Sequence, residues 1–494
     1  MTESVKNTAS LMMLLAICLP VMIACVDIMA ISVAINNIML DLDISVGNAQ
    51  WLIGGYTIGT AAFFIVIGRL ADLYGRKKIL QLGVVLFGLS STVAALAFSP
   101  MLLIICRCLQ GLASAMMMTT VVSIIMHTFP VNVRSKTIAM WGASLGLGMA
   151  LGPLMGGVVL HFLGWRWIFA VNIPICIFAY FLIRKYIDES KNELAPVKVN
   201  YFEALLLSTL CVDLMLFLSE VNNIGWNSLP VFIMLVVFVV TTTVFIVFEK
   251  RKLHPIVDLS IFSYNNFCAA VTAGAISYFC SYAWLFIFTV YLQDAFGFTP
   301  LLTGVMFTAY ALAFAVNAQV VGLIVSRLGN KLIMQSGFVL MFISLLFMAK
   351  VSQETTIFQL IAMFIMFGFG VTAVNSPSLN AASTFVPKHK VGIASGIIFT
   401  VRWLGGSVGV ALITLIFEEV SSKRYLKLIG SDVDSSSLHH YGKRLFDLPS
   451  DVHLHMALTA GLSVACIVLS LLALGGFFIA TFFILPTFSG TTRG

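Results

Sequence analysis

Residues 68–78 read GRLADLYGRKK and place five charged side chains within eleven positions. They lie between two apolar segments, 49–70 and 79–98, that carry almost no other charge. A helix of about 20 apolar residues crosses a bilayer core that is about 30 Å thick. The pattern therefore predicts two membrane-spanning helices joined by a short, strongly polar loop at one membrane surface.

The composition extends this interpretation to the whole chain. Of 494 residues, 60% are hydrophobic and only 10% are charged, whereas soluble domains carry about 25% charged residues. The apolar runs are too long, and alternate too little, for the strands of a membrane barrel. We therefore predict an all-α polytopic membrane protein embedded in a lipid bilayer.

Two function classes are disfavoured by the same composition. The net charge of +7 is typical of Lys and Arg in cytoplasmic loops, and no nucleic-acid-binding motif accompanies it. The nine cysteines lie in apolar segments without metal-ligand spacing. We therefore expect no nucleic-acid partner, no metal site and no disulfide framework.

Fourteen segments are long and apolar enough to be spans: 11–35, 49–70, 79–98, 101–124, 138–161, 167–187, 203–221, 229–248, 267–291, 302–325, 332–350, 355–377, 391–417 and 456–485. With a cytoplasmic N-terminus, 19 of the 28 basic residues fall inside, and only Arg166 and Lys350 occupy short outside loops. Basic residues accumulate in cytoplasmic loops. We therefore predict a multi-pass protein of the cell (inner) membrane with both termini cytoplasmic and a long external loop at about 418–455.

The charged loop motif has a weak second copy. When Gly68–Lys77 is placed above Gly322–Lys331, the glycines at offsets 0 and 7 and the lysine at offset 9 coincide. Transporters are often built from repeated halves. We therefore predict an N-terminal six-helix bundle at 1–200, an inserted helix pair at 201–255, and a C-terminal six-helix bundle at 256–494.

Several further motifs point to one family. They are Val26-Asp27 with Ala34-Ile35 in span 1; Arg107-Cys-Leu-Gln110-Gly111 in span 4; Gly142, Gly146, Gly148, Gly152-Pro153 and Gly156-Gly157 in span 5; and Trp165-Arg166-Trp167-Ile168-Phe169 with Asn172 and Pro174 at span 6. With the Gly68–Lys78 loop, they resemble the fourteen-span drug:proton antiporter family of the major facilitator superfamily. Leu73 stands where the family's loop has Arg, and Asn36 where its span 1 has Pro. The resemblance implies the major facilitator fold, no cofactor and no enzymatic activity, and we expect a monomer.

Asp27 is the strongest functional candidate because it is an acid inside a predicted span. A carboxylate there costs about 2.5–3.5 kcal/mol on insertion scales, and such residues usually mark an ion or substrate path. At about 1.5 Å per residue, Asp27 and Arg107 both lie about 9–12 Å below the outer surface, so they can pair. We predict that Asp27 binds and releases protons. The alternative is a fixed structural ion pair.

Arg107 and Gln110 complete the predicted proton-coupling site. They resemble the family's proton-translocation motif, and Gln110 follows Arg107 by three residues, on the same helix face. A purely structural role for Arg107 is the alternative.

The loop motif is predicted to act as a conformational latch. In the family it holds the two halves together in the outward-facing state, which assigns the latch to Gly68, Asp72, Gly75, Arg76 and Lys77. Asp72 is expected to face the positive N-terminus of a nearby helix. The alternative is that the basic residues only set the topology.

Span 5 carries a predicted helix-packing motif, Gly148, Gly152, Pro153 and Gly156. Small residues at this spacing let helices approach closely in lipid, and Pro153 permits a kink. In the family this segment accompanies exporters, so the predicted direction of transport depends on the resemblance.

Five more residues are candidate substrate or second proton sites: Tyr56, Asp213, Asn317, Asn375 and Arg402. For Asp213 we favour a polar seam between the inserted pair and the core. For each asparagine, an interhelical hydrogen bond is the alternative to lining a cavity.

These observations predict a proton-coupled exporter of amphipathic or lipophilic, cationic small molecules. Two alternatives of the same fold remain: an exporter dedicated to one metabolite, such as a siderophore, and a symport importer. A membrane-embedded enzyme is disfavoured because the ionisable residues within spans are isolated from one another rather than clustered.

Overall fold

The computed structural model describes residues 3–129, 131–191, 201–224, 228–250, 259–384, 386, 391–429 and 452–485. Within these ranges the chain forms fourteen α-helices, one short 3₁₀ helix at Leu259–Ser263, and no strand. The helices are α1 (Glu3–Leu42), α2 (Val46–Tyr74), α3 (Arg76–Ala95), α4 (Pro100–Thr128), α5 (Val131–Phe162), α6 (Arg166–Ala170), α7 (Asn172–Tyr186), α8 (Tyr201–Ile224), α9 (Leu229–Lys250), α10 (Asn265–Asp294), α11 (Pro300–Met348), α12 (Ile357–Thr384), α13 (Val391–Ile429) and α14 (Val452–Phe483).

The predicted class of all-α polytopic membrane protein is confirmed. Thirteen helical segments of the described chain are long and apolar enough to cross a membrane. The remaining predicted span, 203–221, coincides with α8, in which Leu205–Leu214 forms a shorter apolar helical segment of the described chain.

Two glycines end spans at equivalent positions of the two copies of the loop motif. Gly75 separates α2 from α3 with φ 118° and ψ 130°. Gly329 interrupts α11 with φ 78° and ψ 159°, so α11 contains two predicted spans. Positive φ angles are readily adopted only by glycine. The glycines aligned at offset 7 of the sequence repeat thus make the same kind of sharp turn.

The helices form two groups that meet along two long contacts. In the first group α1 packs on α5 and α2 on α4; in the second, α10 packs on α13 and α11 on α12. Across the groups α5 packs on α11, where the Pro153 carbonyl lies against Gly304. α2 packs on α13, where the Ser407 hydroxyl donates to the Gly54 carbonyl at 3.2 Å.

The inserted helices α8 and α9 lie beside one of these contacts. α8 packs on both α2 and α13, and the Ser208 hydroxyl donates to the Ala62 carbonyl at 3.1 Å. On α9, Glu249 is buried and interacts electrostatically with Arg69 of α2. The pair therefore covers the seam between α2 and α13 from outside.

The two groups are also joined where α1 and α10 end. Asn36 donates to the Asp294 carboxylate at 2.7 Å, and Gln293 donates to the Val33 carbonyl at 2.8 Å. α1 continues to Leu42, beyond the end predicted at 35, and its last turns contact Asp294 of α10 and Arg166 of α6. The two groups are closed against each other on this side of the membrane.

The predicted external loop begins later than expected. α13 continues through Ile429, whereas we predicted a loop from 418. The extension is amphipathic: Tyr425 and Leu426 are buried, and Lys423 donates to the Glu419 carboxylate one turn earlier at 2.5 Å. The rest of that predicted loop, to residue 451, lies outside the described residues.

Candidate functional site

Asp27 is buried at the middle of α1 and forms an ion pair with Arg107 of α4. Both side chains have no exposed surface. Because α1 continues to Leu42, Asp27 lies fifteen residues before the helix end rather than about eight. The expected pairing with Arg107 is present.

Three more side chains join the hydrogen-bond network around the Asp27 carboxylate. Asn172 donates from Nδ2 to Asp27 Oδ1 at 2.7 Å, and Gln110 Nε2 lies 3.5 Å from the same oxygen. Gln110 Oε1 in turn accepts from Arg107 Nη1 at 2.7 Å. The Ser91 hydroxyl accepts from Gln110 Nε2 at 2.8 Å. Residues of four helices, α1, α3, α4 and α7, therefore share one hydrogen-bond network around this carboxylate.

Sequence reasoning assigned no role to two of these residues. Asn172 was part of a motif that carries the family resemblance, and it lies at the start of α7, two residues before Pro174. Proline lacks an N–H and cannot continue the preceding helix, which explains the break between α6 and α7. Ser91 had no signal at all, because a single serine is common in apolar spans.

Arg107 is held in place by more than its acid partner. Nε donates to the Leu52 carbonyl at 2.8 Å. The Tyr56 ring lies 4.7 Å from the guanidinium carbon and the Phe169 ring 5.9 Å. The Tyr56 hydroxyl donates to the Ala24 carbonyl at 3.1 Å. Tyr56 thus lies against the Asp27–Arg107 pair and joins α2 to α1.

The glycines of α5 determine how closely α1 approaches. A Cβ on Gly152 would lie 2.5 Å from Met29 Cβ and 2.9 Å from the Val26 carbonyl oxygen. Gly148 and Gly156 lie against the same side of α1. The predicted packing residues therefore place α5 on the helix that carries Asp27, while Pro153 lies against α11.

A cleft between α1, α5 and α7 reaches this carboxylate. Its lining is apolar apart from Asp27 and Asn172. Leu151 and Met155, two exposed residues of α5, line it. The cleft therefore opens at the side of the bundle, while the Asp27 side chain at its base has no exposed surface.

The latch residues are arranged differently from the prediction. Asp72 accepts two hydrogen bonds from Arg76, at 2.8 and 3.1 Å, instead of facing a helix N-terminus. The N-terminus of α3 is capped by Glu189, which accepts from the Lys77 and Lys78 backbone N–H groups at 3.0 and 3.2 Å. Asp72 lies near the end of α2 and Arg76 begins α3, so the sharp turn at Gly75 brings the two side chains together.

These latch contacts lie within the N-terminal group of helices. Lys77 Nζ donates to the Arg184 carbonyl at 3.0 Å, and Arg76 donates to the Ser123 carbonyl of α4 at 3.4 Å. A Cβ on Gly75 would lie 2.5 Å from the Glu189 carboxyl carbon. Gly68 has open space beside it. The predicted latch would join the two halves in the outward-facing conformation, in which the cytoplasmic side is closed, and it stays a prediction.

Two candidate substrate residues are distant from Asp27. Asp213 of α8 is hydrogen-bonded to Thr241 of α9, so it lies at the seam between the inserted helices. Asn317 of α11 donates to the Phe369 carbonyl of α12 at 2.8 Å, an interhelical hydrogen bond. For both residues the geometry fits the structural alternative.

Arg402 and Asn375 lie together in the C-terminal group. Arg402 of α13 donates from Nη2 to the Asn375 carbonyl at 2.7 Å and to the Ser378 hydroxyl at 2.6 Å, both on α12. The Tyr278 ring of α10 lies 5.8 Å from the guanidinium carbon.

Among the described residues no group of three or more His, Cys, Asp or Glu has a metal-binding arrangement.

Comparisons with known proteins agree with this architecture. The chain is 30% identical over 408 residues to the multidrug resistance protein Stp of Mycobacterium tuberculosis (strain CDC 1551 / Oshkosh), covering 82% of this chain and 76% of Stp. It is 27% identical over 410 residues to the riboflavin transporter RibZ of Clostridioides difficile (strain 630), covering 82% of this chain and 88% of RibZ.

A solved structure shares the fold over almost its whole length. It is a bacterial homologue of the human lysosomal transporter Spinster, in an inward-facing and unoccupied conformation. The TM-score is 0.66 at 14% identity, covering 95% of this chain and 97% of that one. The Major Facilitator Superfamily profile matches residues 17–410. The chain therefore belongs to the Major Facilitator Superfamily and is a multi-pass membrane transporter of that fold.

Proposed function

We propose that this protein is a proton-coupled antiporter that exports amphipathic or lipophilic, cationic small molecules. It acts as a monomer in the cell (inner) membrane, with both termini in the cytoplasm. The observation that carries the proposal is the buried ion pair between Asp27 and Arg107, which joins α1 to α4 at the centre of the N-terminal group.

The ion pair supplies a way to couple proton binding to movement. Breaking a buried pair by removing one partner costs about 3–5 kcal/mol. Protonation of Asp27 also weakens the ion pair, because it removes the negative charge that holds Arg107. The carboxylate is bound by residues of α4 and α7, and Ser91 of α3 joins them through Gln110. Protonation therefore releases several helices at once.

The contacts between the two halves provide the moving surfaces. Substrate sites of such transporters lie near the membrane midplane between the repeats, which rock against each other. Asn36 and Asp294 hold one side closed, while α5–α11 and α2–α13 form the long lateral contacts. A rocking motion would separate the first contact and keep the lateral contacts largely intact.

The relatives support the direction and the substrate class. The name of the Stp relative describes multidrug resistance, and the glycine-rich α5 motif of this chain accompanies exporters in the family. A single carboxylate cannot hold a proton and a cation together, so Asp27 can exchange one for the other. The protein would therefore export cationic compounds in exchange for protons that move inward.

A dedicated exporter is the second candidate, because the RibZ relative is named as a transporter of one metabolite, riboflavin. The two candidates differ in competition. Many unrelated lipophilic cations should inhibit each other's transport by a multidrug exporter, whereas one compound alone should do so for a dedicated exporter.

Everted vesicles with an acidified interior test the proposal. We expect that adding tetraphenylphosphonium or ethidium releases protons from the interior, seen as a rise in internal pH. The Asp27→Asn variant should lose this response by at least about tenfold, since each tenfold loss corresponds to about 1.4 kcal/mol of coupling, while still exchanging labelled for unlabelled substrate. Proton release on adding substrate also distinguishes an antiporter from a symport importer.

Asp41→Asn is the matched control. Asp41 is an exposed acid on the same helix and pairs with Arg166 at 2.7 Å. We expect it to keep the proton response, because surface pairs contribute only about 0–1 kcal/mol. Full proton-driven transport by Asp27→Asn would contradict the proposed coupling.

A further inference from the structure

Arg402 is a buried guanidinium in the C-terminal group and differs from Arg107 in its partners. It is 3% exposed. Its Nη2 is bonded to a backbone carbonyl and to the Ser378 hydroxyl. Its Nε has no hydrogen-bond acceptor among the described residues, and no carboxylate of the described chain forms an ion pair with it. A full positive charge is therefore buried with neutral partners only.

Such an arrangement is costly unless something else compensates the charge. Burying an ion without a counter-charge costs several kcal/mol even after the protein relaxes. Hydrogen bonds from neutral acceptors recover only part of this. The side chain therefore has residual affinity for an anion, and its unused Nε–H gives that affinity a direction.

The local packing places a glycine, rather than a side chain, against the buried Nε. On α10, Gly274 faces it: a Cβ there would lie 2.7 Å from Arg402 Nε and 3.2 Å from the Ser378 hydroxyl. One turn further along, the Tyr278 ring lies 5.8 Å from the guanidinium carbon, and Phe399 lies at the same distance. The guanidinium is thus bordered by two aromatic rings and a glycine.

Aromatic rings connect this guanidinium to the Asp27 site across the two halves. The Tyr278 and Trp403 rings are 5.8 Å apart, and the Trp403 and Tyr56 rings 6.2 Å apart. Tyr56 in turn lies against Arg107. Trp403 Nε1 is buried and has no hydrogen-bond partner among the described residues. The two arginines are therefore connected by a series of packed aromatic rings.

We propose that Arg402, oriented by Asn375 and Ser378, is an anion-binding subsite that takes the carboxylate of aromatic substrates. A guanidinium offers parallel N–H groups that match a carboxylate, and aromatic rings stack on flat substrates. This inference rests on the proposed function, since it assumes that small molecules pass between the halves. It extends the transported class from cations to zwitterions that carry a carboxylate.

Two dyes that differ only in charge test the subsite. One is a rhodamine with a free carboxyl group, and the other is the methyl ester of the same dye, which is cationic. We expect intact protein in energised everted vesicles to transport both. In Arg402→Gln, the KM for the carboxylate dye should rise about tenfold or more, while the KM for the ester changes less than about twofold, since a hydrogen bond to a charged group is worth about 1.5–3 kcal/mol.

Arg402→Lys tests the same idea if the glutamine variant does not reach the membrane. It keeps the positive charge but lacks the planar fork, so transport of the carboxylate dye should fall and transport of the ester should not. An equal loss for both dyes, or no loss for either, overturns the subsite and indicates a structural arginine.

Intact protein that carries the ester and not the carboxylate dye also overturns the subsite, while leaving the proposed exporter in place. If intact protein carries neither dye and shows no proton response to tetraphenylphosphonium, the proposed function itself fails. The two failures are therefore distinguishable in the same vesicles.

Discussion

The two halves of the transporter each bury one arginine among helices, and they compensate its charge in opposite ways. Arg107 faces the Asp27 carboxylate and donates Nε to a backbone carbonyl. Arg402 has two neutral acceptors on Nη2 and an unused Nε among the described residues. The N-terminal half therefore carries its own counter-ion, which a proton can neutralise, whereas the C-terminal half leaves a positive charge for a substrate.

The comparison predicts that Arg107→Gln is the most damaging of the changes. It leaves Asp27 as a buried, uncompensated charge, and breaking a buried pair costs about 3–5 kcal/mol. Arg402→Gln removes a charge that has no acid partner among the residues that the structure describes, so it should cost less. Thermal unfolding of the purified variants in detergent measures both losses.

The double variant Asp27→Asn with Arg107→Gln sharpens the test. It should recover much of the stability lost in Arg107→Gln, because no unpaired charge remains, and it should not recover proton-driven transport. A larger loss of stability in Arg402→Gln than in Arg107→Gln would break the comparison.

Gly152→Ala should have the next largest effect. Its Cβ would lie 2.5 Å from Met29 Cβ and 2.9 Å from a backbone oxygen of α1, neither of which can swing away easily. Overpacking of this kind costs about 1–3 kcal/mol. We expect a lower unfolding temperature and slower proton-driven transport, because α1 carries Asp27.

Gly142→Ala is the matched control on the same helix. A Cβ at Gly142 would meet nothing within 4 Å, and alanine is favoured over glycine in a helix by about 0.5–1 kcal/mol. Its unfolding temperature should stay the same or rise. Equal destabilisation by both variants would show that the contact with α1 is unimportant.

Ser378→Asp should give the C-terminal half the counter-ion that it lacks. The Ser378 hydroxyl lies 2.6 Å from Arg402 Nη2, so a carboxylate there can pair with the guanidinium. Transport of the carboxylate dye should fall about tenfold, and transport of its ester should be unchanged or improved. Ser378→Ala, which adds no charge, serves as the control. A retained preference for the carboxylate dye in the aspartate variant would contradict the anion subsite.

Gly274→Ala should have the smallest effect. Its Cβ would lie 2.7 Å from Arg402 Nε, but the end of a flexible side chain can move by a few tenths of an ångström. We expect a KM for the carboxylate dye raised about two- to threefold and a stability within about 0.5 kcal/mol of the parent. Gly475→Ala on α14, with nothing within 4 Å, is the control. If Gly274→Ala reduced transport of the ester more than transport of the carboxylate dye, that result would argue against a role for Arg402 Nε.

Much of the candidate site could be predicted, and the residues that could not share one property. Asp27, Arg107 and Gln110 stand out because charged or amide groups are expensive in a membrane-spanning helix. Ser91 and Asn172 contact the same network, yet a single serine or asparagine is an ordinary residue in a span. Their importance depends on which helices are neighbours, and spacing along one helix does not contain that information.

The cytoplasmic loop shows a different kind of error. Its charge pattern predicted the position of the turn at Gly75, and the structure places the turn there with a positive φ. The partner predicted for Asp72 was wrong, because Asp72 pairs with Arg76 across the turn at Gly75, and Glu189 caps α3 instead. Residues on either side of a tight turn are already close in space, so little loop-closure entropy opposes their pairing.

The amino-acid sequence by itself determined the class of protein, the positions of nearly all spans and the glycine turns between them. It could do so because a bilayer penalises every unpaired backbone group and every charge, so long apolar runs have only one stable form. Tertiary structure alone decided that α1 continues to Leu42, that Asn36 meets Asp294 across the halves, and that Arg402 has no acid partner within the described part of the chain. Each depends on contacts between helices distant in the chain, where the geometry of packing chooses among partners that are chemically equivalent.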